Sequence, residues 1–380
     1  MALTYNRLTD KTYLANYMMR TNKTRRRHKK RDLLRDHWLG ALIICLLVII
    51  GAGFYHEVDN SKAAPIGSET KITSNSLITL PKDDAPHPSQ MEWWYYSGHL
   101  ITETGKKYSF HDTTFLVNSG SLMVNHLSFV DHQTGRRYID QLSSAGNLSV
   151  GTANGFNFTG TGWRMSGDNG TDILQASTDD FSFNLGLNST QPPVIHGLKG
   201  VLDLGAAGNS FYYSRTRMII SGTVKINEKT EAVSGIAWFD HQWGDFSSTQ
   251  LAWDWFSVQL DNQCDIMIYQ LRDKSNKPIL YTGSFTENGK TEILASKDFV
   301  LSKGKKWLSS KTGTRYPVEW QIKIPAKNID ITTQSRRNDS EFDATLTTYN
   351  IYWEGAIKVT GSHTGQGFME LNGYRNSKAD

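Results

Sequence analysis

Three short segments set aromatic side chains beside acids and histidine: Glu92-Trp-Trp-Tyr-Tyr96, Trp238-Phe-Asp-His-Gln-Trp-Gly244 and Trp253-Asp-Trp-Phe256. Together they hold six of the chain's 11 Trp in 16 residues, a density that even scatter does not produce. On a strand alternate residues share a face, so Glu92, Trp94 and Tyr96 point one way, His241 accompanies Trp243, and Asp240 accompanies Trp238 on the opposite side. An acid or imidazole then lies beside a large π surface. In an apolar pocket a carboxyl keeps its proton to higher pH and can deliver it, and an indole face stabilises a cation. Trp and Tyr are equally the ordinary filling of a β core, where a buried acid ties a loop to a backbone amide. From the residues alone, packing and chemistry both stand.

Strands must position these groups. Val318-Glu-Trp-Gln-Ile-Lys-Ile324 and Phe181-Ser-Phe-Asn-Leu-Gly-Leu187 alternate without a fault, and Ile351 to Val359 nearly does, the period-two mark of half-buried strands. Asn154-Gly155, Asp168-Asn-Gly170, Asp261-Asn262, Glu287-Asn-Gly289 and Lys311-Thr-Gly313 supply the positive φ that tight turns need. No sustained 3.6-residue stripe with caps occurs in the body, so the class is antiparallel all-β, as barrel or sandwich. Trp94-Tyr-Tyr-Ser-Gly-His-Leu100 resembles Asp254-Trp-Phe-Ser-Val-Gln-Leu260. Gly222-Thr-Val-Lys-Ile226, with Gly235 following, resembles Gly355-Ala-Ile-Lys-Val359, with Gly367 following. Two similar β units in tandem, meeting near 245 to 250, account for both pairs.

Ahead of the body, Trp38 to Tyr55 runs 18 residues without a charge, and as a helix at about 1.5 Å per residue it nearly crosses a hydrocarbon core of about 30 Å. Arg20 to Arg35 carries nine Lys/Arg, which holds the N-terminus in the cytoplasm and sends the body outward. The alternative is a cleaved signal peptide, with Ala63-Ala64 as a distant cleavage site. The organisation expected is a basic cytoplasmic tail over 1–36, a transmembrane anchor over 37–56, a Ser/Lys/Pro/Asp-rich stalk over 57–85, and β domains over 86–246 and 247–380. The localisation that follows is a single-pass cell-membrane protein with an extracytoplasmic body and a bilayer contact through residues 38–55.

The formal charge of +4 is misleading, because residues 1–36 hold 11 Lys/Arg against 3 Asp and leave 30 Lys/Arg against 34 Asp/Glu elsewhere. A mildly acidic body argues against a nucleic-acid partner. Cys45 lies in the apolar run and Cys264 far down the chain, which makes an intrachain disulfide improbable. The chain has no Gly-x-Ser-x-Gly elbow, Walker loop, dinucleotide fingerprint or His-Glu-x-x-His helix. Its 11 His show no close ligand spacing, so no metal ligands are assigned, and a metal site would have to be assembled from distant strands.

The ordered motifs from His87-Pro88 and Glu92-Trp-Trp-Tyr95, through Tyr212 to Arg217, Gly235 to Gly244, Trp253 to Phe256, Tyr269 to Arg272 and Tyr352 to Gly355, to Gly367-Phe-Met-Glu-Leu-Asn-Gly-Tyr374, resemble one known family. It is the lipocalin-like AttH and carotenoid 1,2-hydratase (hydroxyneurosporene synthase) group, and the likeness covers roughly residues 86 to 376. The resemblance implies two tandem lipocalin-like antiparallel β-barrels, here behind the N-terminal transmembrane helix. It also implies a hydrophobic small molecule, lipid, isoprenoid or polyene, as ligand, and no cofactor. The first reading is therefore a membrane-anchored protein that binds such a molecule. The second is a hydratase-like enzyme that adds water to an isoprenoid or polyene, or isomerises or cyclises it, by acid catalysis. Carried over, the resemblance makes Asp240 or His241 the proton donor, Trp243 the shield of the resulting cation, and Tyr269 a contributor. Glu92, Trp93, Trp94, Tyr95, Trp238, Trp253, Asp254 and Trp255 are the expected ligand-binding residues. The carotenoid hydratases carry an acid two residues after the tyrosine, where this chain has Leu271.

Overall fold

Period-two alternation resolves into strands throughout the body: β9 (Phe181–Ser189) buries Phe181, Phe183, Leu185 and Leu187 and turns the residues between them outward. The computed structural model describes residues 76–145, 151–152, 155–273 and 275–376. The expected tail, anchor and stalk up to residue 75 lie outside the described residues, as does Asn154. Among the described residues no helix is long and apolar enough to cross a membrane, and the helices present are single 3-10 turns.

The first half contributes β1 (Met91–Thr102), β2 (Lys107–Val117), β3 (Leu122–Asp131), β4 (Arg137–Ala145), β5 (Gly151–Thr152), β6 (Gly155–Gly160), β7 (Trp163–Asp168), β8 (Thr171–Ser177) and β9. β10 (Val194–Ile195), β11 (Val201–Asp203), β12 (Asn209–Ile226) and β13 (Lys229–Gly244) complete it. They form one antiparallel sheet in the order β4-β3-β2-β1-β13-β12-β9-β8-β7-β6-β5, with β10 and β11 added on β12.

The second half has β14 (Leu251–Leu260), β15 (Asp265–Asp273), β16 (Pro278–Glu287), β17 (Lys290–Ala295), β18 (Val300–Lys303), β19 (Lys306–Leu308) and β20 (Arg315–Pro317). β21 (Glu319–Ile324), β22 (Ile329–Ser335), β23 (Glu341–Ala344), β24 (Asn350–Gly361) and β25 (Gly365–Asn372) follow. Its sheet runs β17-β16-β15-β14-β25-β24-β22-β21-β18, so each half is a barrel-like sheet in which the opening strand of a four-strand meander pairs with the closing strand.

The turns carry the predicted chemistry. Asn169 and Gly170, at φ 50° and 78°, join β7 to β8, and Asn288 and Gly289, at φ 51° and 71°, join β16 to β17. Both are two-residue hairpins with consecutive positive φ, the backbone that Asn-Gly adopts at least cost. Near Asp261-Asn262 the left-handed residue is instead Gln263, at φ 69°. The Asn227-Glu228 hairpin between β12 and β13, at φ 49° and 65°, has no Gly and gives no comparable sequence signal.

The repeat falls on matching strands: Trp94–Leu100 lies in β1 and Asp254–Leu260 in β14, while the Gly222 and Gly355 segments lie in β12 and β24. Register corrects the details. Leu100 pairs with Gly235 and Leu260 with Gly365, which makes Gly365, rather than Gly367, the counterpart of Gly235. Gly222 and Gly355 sit at different heights in their strands, opposite Val233 and Met369. Aligned by this register, Phe239-Asp240-His241-Gln242 matches Met369-Glu370-Leu371-Asn372.

Each half encloses its own core. Trp94, Tyr96, Phe129, Tyr213, Phe239 and Trp243 are among the first, and Phe256, Ile268, Trp320, Ile331 and Trp353 among the second. A third cluster, including Tyr95, Tyr212, Trp238, Trp255, Met267, Tyr269 and Phe368, fills the seam between the two sheets. A β-bulge between Arg215 and Met218 turns both Thr216 and Arg217 toward the second half, where Thr216 Oγ1 bonds Asp265 Oδ2 at 2.9 Å and Arg217 pairs with the same carboxylate.

Candidate functional site

Strand alternation divides the Trp238 to Gly244 segment between two places. Trp238 and Asp240 face the seam, whereas Phe239, His241 and Trp243 face the interior of the first barrel-like sheet. Of the four residues assigned to catalysis, Asp240 and Tyr269 share the seam, and His241 and Trp243 lie on the other side of β13. Trp243 therefore cannot shield a cation formed at Asp240; Trp238 and Trp255 are buried on that carboxyl's own side, with Trp93 and Trp253 packed against them. The ligand-binding set divides likewise: Trp93, Tyr95, Trp238, Trp253 and Trp255 belong to the seam, and Trp94 to the interior with Glu92. Asp254 is in neither. It faces the interior of the second half, fully buried, held by Arg272 Nη2 at 3.1 Å and the Tyr374 hydroxyl at 2.7 Å.

In the seam Asp240 is an acceptor on both oxygens. Trp238 Nε1 donates to Oδ1 at 2.6 Å, Ser214 Oγ donates to Oδ1 at 2.5 Å, and Tyr212 Oη donates to Oδ2 at 2.7 Å. A second ring of contacts supports the donors, with Trp255 Nε1 3.1 Å from Tyr212 Oη and His196 Nε2 2.6 Å from Ser214 Oγ. Burial pushes the Asp240 carboxyl up to about 7 against the pull of Ser214, Tyr212 and Trp238.

The second sheet presents a row of side chains at one height: Tyr269 on β15 pairs with Trp255 on β14, Trp255 with Glu370 on β25, and Glu370 with Glu354 on β24. Directly opposed residues on antiparallel strands hold their Cβ atoms about 5 Å apart, so two like charges there repel. Burial pushes Glu370 up to about 7, Trp253 opposes this and the Asp240 charge adds to it. Burial and then the Glu370 charge hold Glu354 well above the carboxylate range. Repulsion from the Glu370 charge thus adds to burial in favouring the protonated form of Glu354. Burial, then Glu370, then Asp240, also hold the Tyr269 phenol protonated.

The seam is not sealed over this row. Glu370 is half-buried, and Met91, Trp93, Trp253, Ile279 and Leu280 form a partly exposed apolar rim. An open depression of about 460 Å³ lined by Arg164, Gln175, Asn184 and Lys225 shares no residue with the seam and gathers no acid–base groups.

Sequence reasoning missed Glu354, Glu370, Tyr212 and Ser214. The first two stand in motifs that carry the resemblance, and aligning Asp240 with Glu370 across the repeat is the signal that finds the latter.

The interior of the first half holds a second polar group. Glu92 Oε1 lies 2.7 Å from His87 Nδ1 and 2.8 Å from His241 Nε2. Trp243 stacks on His87 at 4.1 Å and Trp94 on His241 at 4.4 Å. Next to them Arg215 Nη2 binds both Asp84 oxygens at 2.9 and 2.7 Å, and the Tyr213 hydroxyl donates to the same carboxylate. Among the described residues His87, Glu92 and His241 are the group whose ligand atoms lie close enough together, all within 4.8 Å, to hold a metal ion.

Comparison with known proteins agrees with this architecture. A protein of Nitrosomonas europaea assigned as AttH matches over 80% of this chain and 99% of its own, with a TM-score of 0.72 and 26% identity. Kievitone hydratase from Nectria haematococca shares the fold over 80% of this chain and 98% of its own, with a TM-score of 0.65 and 16% identity. The dehydratase asqC of Emericella nidulans is 23% identical over 244 residues, 60% of this chain and 68% of that protein. The AttH-like family model matches residues 71–374, four-fifths of the sequence, and the chain belongs to the AttH-like family.

Proposed function

We propose that the seam is a cofactor-independent acid–base site that adds water to, or removes it from, an apolar unsaturated molecule. The observation that carries this reading is the opposition of Glu354 and Glu370 on neighbouring strands, in the same row as Tyr269 and facing Asp240 across the seam. The paired carboxyls keep a proton available near neutral pH, and Asp240, held by three donors, serves as the base. In the hydration direction Glu370 delivers its proton to an alkene carbon, the Trp255 ring stabilises the resulting cation, and Asp240 takes a proton from the attacking water. Dehydration follows the same path in reverse. Leu271 faces the seam where the carotenoid hydratases carry an acid, and Glu370 supplies one from β25, on the far side of β14. The Emericella dehydratase among the relatives supports the direction of this chemistry.

The apolar rim of Met91, Trp93, Trp253, Ile279 and Leu280 supports a second reading, capture of a lipophile without conversion. The apolar run at 38–55 with its basic flank supports a body held outside the cell membrane, near the bilayer where such molecules partition. The test is extraction of the molecule that copurifies with the protein, its identification by mass spectrometry, and incubation of fresh protein with it. Hydration or dehydration that falls at least about 100-fold in Glu370→Gln and Asp240→Asn is expected. A bound lipophile recovered unchanged would select the carrier reading, and turnover unaffected by both substitutions would remove these residues from the chemistry.

A further inference from the structure

His87, Glu92 and His241 meet at the mouth of the first half in a way that their own hydrogen bonds leave unresolved. Glu92 Oε1 faces both His87 Nδ1 and His241 Nε2, and Oε2 accepts the His87 backbone N–H at 2.8 Å. Each imidazole also meets an oxygen on its far side. His241 Nδ1 is 3.3 Å from Tyr213 Oη, whose own proton is directed at Asp84, and His87 Nε2 is 3.7 Å from Asp83 Oδ1. A neutral imidazole has one donor nitrogen and one acceptor nitrogen. His241, buried with acceptor oxygens on both sides, turns a lone pair toward an oxygen when neutral, whereas the partly exposed His87 has Asp83 beyond hydrogen-bond distance on its outer side. A cation between the inner nitrogens removes the conflict, taking both inner lone pairs and leaving the outer N–H groups to Tyr213 and Asp83.

We propose that His87 Nδ1, Glu92 Oε1 and His241 Nε2 bind a divalent first-row transition ion. Two imidazoles and one carboxylate form the donor set of three-ligand zinc sites and of iron(II) sites, both of which keep a coordination position open. The outer shell has the expected form, with an oxygen beside the second nitrogen of each ligand histidine. Ring orientation is fixed as well, because Trp243 lies parallel to His87 within 2° and Trp94 stacks on His241. Ligand atoms around a tetrahedral ion with bonds of about 2.0–2.1 Å stand roughly 3.3 Å apart. The present contacts of 2.7 and 2.8 Å therefore open by roughly 0.5 Å on loading. The ligands come from the segment ahead of β1, from β1 itself and from β13, so the ion clasps that segment, already anchored through Asp84 and Arg215, to the rim of the sheet.

The experiment strips the purified full-length protein with a chelator, reloads it with excess Zn²⁺, and measures the Zn²⁺ retained after dialysis by elemental mass spectrometry. A Co²⁺-loaded sample reports coordination geometry by its visible absorption. About one Zn²⁺ per chain is expected, with an affinity that falls at least roughly ten-fold in His87→Ala and in Glu92→Gln. His363→Ala, in the turn between β24 and β25, is expected to leave it unchanged. His87 is outside the strands and partly exposed, so His87→Ala decides the matter even where Glu92→Gln fails to fold. Zn²⁺ well below one per folded wild-type chain, or binding undiminished in His87→Ala, would overturn the proposal. Metal content is read without turnover, so the outcome is independent of the seam chemistry.

Discussion

The first half encloses Asp84, Arg215, Tyr213, Asp172, Glu92 and His241 among its aromatic rings, whereas the second encloses Phe256, Ile266, Ile322, Ile331 and Val359 with an ion pair between Asp254 and Arg272. Their strand orders correspond, yet the interiors have diverged, and one half has become a polar framework while the other is chiefly hydrophobic. The faces turned toward the seam kept what the interiors lost: equivalent heights of β13 and β25 carry Asp240 and Glu370. The two sheets thus place an acid at matching positions of their shared face while their interiors are filled differently, because interior side chains need only fill and satisfy their own sheet.

The contrast can be broken first at Arg215. Arg215→Met leaves Asp84 buried without its cation and is expected to destabilise the protein by about 3–5 kcal/mol in chemical denaturation. Ile322→Ala in the second half removes packing and no charge, and should cost about 2–5 kcal/mol through the cavity it opens. The two losses differ in salt and pH dependence: the apolar variant should track wild type across pH, and a parallel response in both would erase the distinction drawn between the interiors.

A second test uses the raised carboxyls. Asp112 and Asp172 inside the first half, and Asp240 and Glu370 in the seam, are all pushed up to about 7 by burial. A carboxyl whose pKa is raised on folding stabilises the native state below its unfolded pKa, and that contribution is lost as pH rises through the folded value. The contribution of these carboxyls should therefore fall between about pH 4 and pH 8, opposed up to about pH 6.5 by His99, His126 and His196, which burial pushes down to about 3 and which favour the folded state as pH rises. Asp112→Asn, which retains the contact with Asn125, should flatten part of that slope. A pH–stability slope identical in wild type and Asp112→Asn would contradict the assignment.

The smallest effect is the most specific to the seam. Glu370→Gln removes the like charge opposite Glu354, and should change stability by less than about 1 kcal/mol while lowering the Glu354 pKa. Carboxyl titration followed by NMR reads this directly, and an unmoved Glu354 would mean that the two groups are not coupled.

Much of the fold was legible in local pattern. The alternation of Phe181 to Leu187 and of Val318 to Ile324, and the Asn-Gly turns at 169–170 and 288–289, reflect forces that act between residues a few positions apart. The Asn227-Glu228 turn escaped because its strained backbone is imposed by the two long strands it joins. At the site, alternation already put Asp240 with Trp238 and His241 with Trp243. Treating the whole segment as one catalytic unit merged two faces that β13 keeps apart.

What the sequence determined by itself is the all-β class, the tandem repeat, the family likeness and the strand faces, because period, turn chemistry and ordered motifs are written along the chain. Only the tertiary structure decided that Glu370 stands opposite Glu354, that Asp240 meets three donors from Ser214, Tyr212 and Trp238, and that His87 closes on Glu92 and His241. These meetings depend on strand order, register and one bulge. Apart from the Trp238–Asp240 and His87–Glu92 contacts, which are close in sequence, these are fixed by packing among residues more than ten to over a hundred positions apart, which no local pattern in the chain encodes.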